Sequence, residues 1–546
     1  MNKIILNDMI EKVSGEFHNI LKDSMLDSSL TKDEYEQKNK EKIKLQLAIK
    51  ECIFQNNEAK QMVKNKIREI IEEKYSLNDF NIDEVINFNK MEEVESDIKF
   101  SILLNFFKNK KVNVFEEGFE IENIIKKYGL DELKEDNLEE RYVITKDDVD
   151  YMIKDLKIKL DYEEKMFILV QYIYSRYKGY GVIDELLEQK IDGINGGVSG
   201  FENDLNESFL NCIWMIYKGK NIHLKFLKFE NIEELKRICL NIYKYDSPGE
   251  LSRNVGYKIN KMKDGSRVVV LRPSFSEEWM FFIRKFHASN LELKELINAK
   301  NKENVIKLME FITKGCNNIC VSGQQGSGKT TMLLNLIGFL YPVYPIRILE
   351  SSFELNVRKK FPNRNICTIQ ETDDISGQTG LDLLKKTDGL INIIGEVASD
   401  DVAAQLIQSG KVAAKATLFT HHAKSTEELI KSLRNSLLKT GMFRNEKIAE
   451  EEVASIINFD IHLEKDFYGN RYIERINECV FEPRTGTYKI ANLIEYKNNE
   501  YIVNNSLTQE MIKKIEKELK KDDKIRFEEF INDINQELSM RIKNET

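Results

Sequence analysis

Long hydrophobic runs are missing from this 546-residue chain. No stretch approaches the roughly 20 apolar residues that a bilayer-spanning helix needs. The opening Met1-Asn2-Lys3-Ile4-Ile5-Leu6-Asn7-Asp8 has no apolar signal core. Any membrane association is therefore expected to come through a partner. Proline is scarce, at six residues, which suits a helix-rich fold. The seven cysteines (52, 212, 239, 316, 320, 367 and 479) are odd in number and contain no C-x-x-C pair. That pattern points away from a disulfide framework and toward a reducing, cytosolic setting, with Cys316 and Cys320 as small buried hydrophobes. A basic excess is missing too. The 82 Lys and Arg against 91 Asp and Glu leave a net charge of −9, which counts against a dedicated nucleic-acid binder. With 41% hydrophobic and 32% charged residues, the chain is neither disordered nor membrane-embedded.

Against these absences stands Gly323-Gln324-Gln325-Gly326-Ser327-Gly328-Lys329-Thr330, a match to G-x-x-x-x-G-K-[ST]. Residues 318–322 before it are apolar and β-rich, and Thr331-Met332-Leu333-Leu334 after it is helix-forming. In that context successive backbone N–H groups curl around an oxyanion at a helix N-terminus. Gly323, Gly326 and Gly328 permit positive φ and close approach to a phosphate. Lys329 would reach the β and γ phosphates, and the Thr330 hydroxyl would ligate Mg²⁺. The expected ATP-binding set is Gly323, Gln324, Gln325, Gly326, Ser327, Gly328, Lys329, Thr330 and Thr331, with Thr330 and Glu396 as Mg²⁺ ligands.

Five segments follow from the patterning. Residues 1–85 read as charged amphipathic helices, with one helical period running from Glu41 through Ile71. Residues 86–144 read as a small helical unit, with the apolar stretch Phe100-Ser101-Ile102-Leu103-Leu104-Asn105-Phe106-Phe107 followed by basic Lys108-Asn109-Lys110-Lys111. Residues 145–300 predict a mixed α+β domain, opening on a long helix over 147–178 and continuing with strands near 191–197, 212–220, 267–272 and 278–286. In residues 301–490 strands and helices alternate, with buried strands at 345–350, 390–397 and 416–422. That order predicts a parallel sheet with crossover helices, an α/β RecA-like P-loop core. Strands near 457–462 and 471–476 look like an antiparallel extension. Residues 491–546 read as a charged tail without evident chemistry.

Ligands of such sheets sit at the carboxyl ends of the strands, where Glu350, Glu396, His421 and His422 fall. Phosphoryl transfer to water needs held phosphates, an in-line water and positive charge on the transition state. Glu396, in Ile393-Ile394-Gly395-Glu396-Val397, is the first candidate to polarise that water and Glu350 the second; either could instead cap a helix or sit in an ion pair. His421 and His422 are candidates for sensing the γ-phosphate or a Mg²⁺-bound water, against a reading as satisfied loop histidines.

Together these residues resemble the type II/type IV secretion and pilus ATPase superfamily, in particular the branch serving tight-adherence pili. Gly323 to Thr330 is similar to its Walker A, and Ile348-Leu349-Glu350-Ser351-Ser352-Phe353-Glu354-Leu355 to its acidic box. Ile393 to Val397 is similar to its Walker B, and Phe419-Thr420-His421-His422-Ala423-Lys424 to its His box. Asp264-Gly265-Ser266-Arg267, Phe282-Ile283-Arg284-Lys285-Phe286 and Ile191-Asp192-Gly193-Ile194-Asn195-Gly196 resemble motifs of its N-terminal domain. The likeness covers about residues 145–490. Ser351, Ala398 and Lys424 depart from the family's usual acid, arginine and asparagine.

The resemblance implies a homohexameric ring in the cytoplasm, peripheral to the inner membrane through a platform protein. In it Arg267 and Arg284 would close on the γ-phosphate as the N-terminal domain rocks against the ATPase core. A degenerate nucleotide-binding scaffold is the alternative that Ser351 and Ala398 motivate. A conjugative DNA-transfer ATPase is a further one, and the mixed charge counts against it.

Overall fold

Caps and glycines decide where the helices and strands begin. A computed structural model describes residues 3–22, 32–109, 119–136, 139–198, 210, 212–246, 248–286, 293, 297, 299–372, 375–412 and 414–545. Lys110 and Lys111 of the basic stretch lie outside the described residues. The chain divides into two compact units, Met1–His287 and Ala288–Thr546.

In the first unit, the helical period expected to run unbroken from Glu41 is interrupted. The helix Lys32–Glu51 gives way to a 3₁₀ turn, Cys52–Phe54, and Gln55 takes a left-handed conformation. Asn56 then caps a new helix, Asn57–Tyr75, accepting from the N–H groups of Glu58 and Ala59. The long helix expected over 147–178 is likewise two, Lys146–Leu156 and Tyr162–Tyr177. Lys157 turns left-handed, and each helix has its own capping box, Thr145 with Asp148 and Asp161 with Glu164. Local side-chain competition for backbone N–H groups thus overrode a periodicity that continued across the breaks.

The strands of this unit are β1 (Lys134–Asp136), β2 (Glu139–Arg141), β3 (Val143–Ile144), β4 (Gly193–Gly196), β5 (Ile213–Tyr217), β6 (Lys220–Leu224), β7 (Tyr257–Lys261), β8 (Arg267–Leu271) and β9 (Met280–Arg284). β1 and β2 form a separate hairpin, and the rest a seven-stranded sheet of order β3-β6-β5-β4-β9-β8-β7. β4 is central because its glycines let neighbours close in. A Cβ on Gly196 would meet the Phe281 ring at 2.3 Å.

The second unit carries β10 (Ile319–Gly323), β11 (Ile346–Glu350), β12 (Ile366–Gln370), β13 (Ile391–Ile394), β14 (Ala416–His421), β15 (Phe459–Lys465), β16 (Arg471–Glu482), β17 (Thr487–Lys497) and β18 (Glu500–Val503). They form one sheet of order β12-β11-β13-β14-β10-β15-β16-β17-β18. From β12 to β15 the pairing is parallel, and from β15 to β18 antiparallel. β10, β11 and β13 are buried along their whole length and mostly apolar, as burial on both faces requires. One apolar core lies under helices Lys302–Lys314 and Lys329–Phe339, the other under Gly377–Leu384, Asp400–Val412, Thr426–Lys439 and Glu446–Ile456.

Residues 491–546 are not a tail. The boundary expected at 490 falls inside β17, and the helices Gln509–Glu518 and Lys521–Glu545 finish the first of these cores. Phe527 and Phe530 pack on Phe311, ring centroids 5.1 and 5.7 Å apart. Charged residues outnumber apolar ones here, yet Phe527, Phe530, Ile531 and Ile534 share one stripe.

Candidate functional site

The phosphate-loop residues follow β10, whose five residues are all buried. Gly323, Gly326 and Gly328 have φ of 142°, 76° and 99°. A Cβ on Gly323 would meet the Leu463 carbonyl oxygen at 2.2 Å, so the loop passes too close to β15 for any side chain. A Cβ on Gly326 would meet nothing within 4 Å, so the loop opens onto free space there. The helix Lys329–Phe339 starts without a side-chain cap, leaving first-turn N–H groups for an external acceptor. The Ser327 hydroxyl is buried and has no hydrogen-bond partner among the described residues. An orphaned hydroxyl, an uncapped helix start and open space at Gly326 fit a phosphate group.

Lys329 is 8% exposed. Its ammonium donates to the carbonyls of Gly323 at 3.0 Å and Gln324 at 2.9 Å, and lies 3.3 Å from His422 Nδ1. An ammonium can only donate, so Nδ1 is the acceptor. That leaves the proton on Nε2, which is 3.0 Å from Glu396 Oε1. Lys329, His422 and Glu396 therefore form one hydrogen-bonded row, joining the loop to the ends of β13 and β14. Thr330 and Thr331 are half-buried in the first helical turn, while Gln324 and Gln325 are exposed. Gln324 Nε2 donates to Glu464 Oε2 at 2.9 Å and the Lys465 carbonyl at 3.1 Å.

A family model described as "Type II/IV secretion system protein" matches residues 254–533, just over half of the chain. The chain belongs to that family. Among solved structures it is similar to the VirB11 ATPase from the Brucella suis type IV secretion system in complex with sulphate, at 15% identity, covering 54% of this chain and 91% of that one, TM-score 0.30. It is also similar to the Legionella pneumophila ATPase DotB, at 14% identity, covering 66% and 91%, TM-score 0.38. A third is the pilus retraction motor PilT with bound ADP, at 15% identity, covering 62% and 86%, TM-score 0.37. No curated protein matches the sequence.

In this type II/IV secretion system protein two expected site residues have other employment. His421 and His422, read as a pair, are adjacent residues at the end of a strand, so they point to opposite sides. His421 Nδ1 lies 3.1 Å from the Val397 carbonyl and Nε2 3.0 Å from Ser432 Oγ. A carbonyl only accepts, so Nδ1 carries the proton. Burial holds this imidazole below its usual pKa, and it stays neutral. His421 is thus a strut between β14 and the helix Thr426–Lys439, and only His422 joins the row.

Glu350 is 3% exposed, and its Oε1 accepts from the N–H groups of Glu354 and Leu355 at 2.9 and 2.8 Å. It ties off the loop after β11 instead of standing as an open base. Burial pushes its carboxyl up to about 7, against the pull of those two N–H groups. Ser351 and Ala398, the departures from the family pattern, are both exposed.

Arg267 and Arg284 belong to the first unit, where they are register partners on β8 and β9. The side chains near the phosphate loop that sequence reasoning missed come from β15 and β16. The Arg471 stem lies 3.6 Å from where a Gly328 Cβ would be. His462, fully buried, has Nδ1 2.8 Å from Ser322 Oγ. Asp460 Oδ2 accepts from Thr426 Oγ1 at 2.7 Å, and Asn477 donates to the same hydroxyl at 2.8 Å. The signal available was the expected antiparallel extension. Which of its residues reach β10 depends on register, and register is not written in either strand alone.

Proposed function

We propose that this chain binds ATP with Mg²⁺ on residues 323–331 and hydrolyses it to drive pilus assembly or protein export. The observation that carries this reading is the row Lys329–His422–Glu396 beside an uncapped, glycine-lined helix start. Backbone N–H groups of the loop and the Ser327 hydroxyl hold phosphate oxygens. Lys329 exchanges its two loop carbonyls for the β and γ phosphates. Glu396, half-exposed at the end of β13, accepts a proton from the attacking water, and His422 fixes its carboxylate. Thr330 and Glu396 are the groups that would hold Mg²⁺, which would supply charge on the phosphate oxygens.

Motion comes from the charge lost with the γ-phosphate. In a homohexameric ring, Arg267 and Arg284 of the first unit close on that charge and release when it leaves, so the two units rock. An inner-membrane platform protein would receive the stroke, with the ring at the cytoplasmic face and the machine of the tight-adherence pilus branch. Exposed Ser351 and Ala398 favour the second reading, a nucleotide-binding scaffold without turnover.

Steady-state phosphate release separates the two. Wild type is expected to turn over at least ten-fold faster than Lys329→Ala, and Glu396→Gln to retain ATP while releasing little phosphate. Turnover of wild type no faster than Lys329→Ala leaves the scaffold, and rapid release by Glu396→Gln removes Glu396 from its role.

A further inference from the structure

On the strand beside the phosphate loop, Phe459, Ile461 and Leu463 enter the apolar core, so Asp460, His462 and Glu464 share the opposite face. A bulge in the β15–β16 pairing brings a third ligand to that face. His462 pairs with Arg475 and Leu463 with Ile473, which leaves Glu474 as the extra residue. Bulges re-aim side chains in this way. His462 Nε2 then lies 3.1 Å from Glu464 Oε1 and 3.8 Å from Glu474 Oε2. One nitrogen and two carboxylate oxygens lie within 4.8 Å of one another.

We propose that His462, Glu464 and Glu474 form a binding site for a divalent transition-metal ion of the zinc type. Ligands about 2.0–2.2 Å from a tetrahedral Zn²⁺ are roughly 3.3–3.5 Å from each other. The two separations from the imidazole nitrogen fall on either side of that spacing, so side-chain shifts would bring both carboxylates to it. Two of the ligands are also held from behind, as metal ligands are. Ser322 Oγ fixes the imidazole through Nδ1 at 2.8 Å, and Gln324 Nε2 fixes Glu464 through Oε2 at 2.9 Å. Arg475 pairs with Glu474 at Oε2, the ligating oxygen itself, which an ion would share with that guanidinium, and Arg475 is anchored by its bond to the Lys424 carbonyl at 2.7 Å. An imidazole with two carboxylates and an open fourth position selects zinc-like ions over Mg²⁺ or Ca²⁺, which prefer all-oxygen sites.

The rival occupant of the same point is a proton, making an imidazolium between two carboxylates. Calorimetric titration of the full-length, chelator-treated protein with ZnCl₂ decides between them, with cysteines alkylated and no nucleotide present. One ion per chain is expected, with a visible Co²⁺ d–d band on substitution. Glu464→Gln and Glu474→Gln, both at partly exposed positions, should each weaken binding at least ten-fold while melting as the wild type does. No uptake by wild type, or uptake unchanged in both variants, overturns the site. Because Gln324 hangs on Glu464, an ion there would also pull on the phosphate loop. That consequence rests on the nucleotide reading, whereas the titration does not.

Discussion

Glu350 shows how one carboxylate can match a family motif and still do something else. It sits where a strand-end acid is expected, but two backbone N–H groups hold one oxygen and burial holds the whole group. Its folded pKa, about 7, lies above the ordinary 4.5, so the folded state keeps the proton longer than the unfolded chain does. Stability from this group is therefore fully present below about 4.5 and lost as pH rises toward 7. Glu350→Gln removes that titration. The variant should gain on wild type as pH rises from 5 to 8, by at most about 3 kcal/mol, in denaturant melts at several pH values. A constant difference across that range would mean that Glu350 is ionised in the fold throughout. His421 teaches the complementary lesson. Its identity was legible in the sequence, but its direction required the strand's alternation and a serine eleven residues later.

At the scale of elements, the phosphate loop was legible because everything that shapes it is local: three glycines, a lysine, a strand before and a helix after. Helix boundaries were less so. Asn56, Thr145 and Asp161 start helices in the middle of continuous apolar periods, and such caps are visible only when looked for residue by residue. The C-terminal helices were least legible, because charge concealed a narrow apolar stripe. Phe527, fully buried against Phe311, tests their importance. Phe527→Ala should cost about 3–5 kcal/mol in chemical denaturation, as for a packed core aromatic. A loss within 0.5 kcal/mol, the usual effect of a surface change, would return the segment to the status of a tail.

For the whole molecule, the two units have separate apolar cores, one drawn from residues 6–283 and the others from residues 293–534. Calorimetry should accordingly resolve two transitions. Mg²⁺-ATP at about a hundred times its dissociation constant should add about 2.7 kcal/mol to the unit that holds residues 319–339. Lys329→Ala should abolish that shift, and a ligand-insensitive pair of transitions in wild type would count against binding.

Lys329 carries a last implication. Its ammonium rests on the carbonyls of Gly323 and Gln324 and beside a histidine. The buried cation is thus already paired within the protein. On the proposed reading, a phosphate would trade one set of acceptors for another, so the lysine would contribute discrimination by charge more than raw grip. If the proposed cycle operates, emptying the pocket would return the lysine to a resting perch that the protein already supplies.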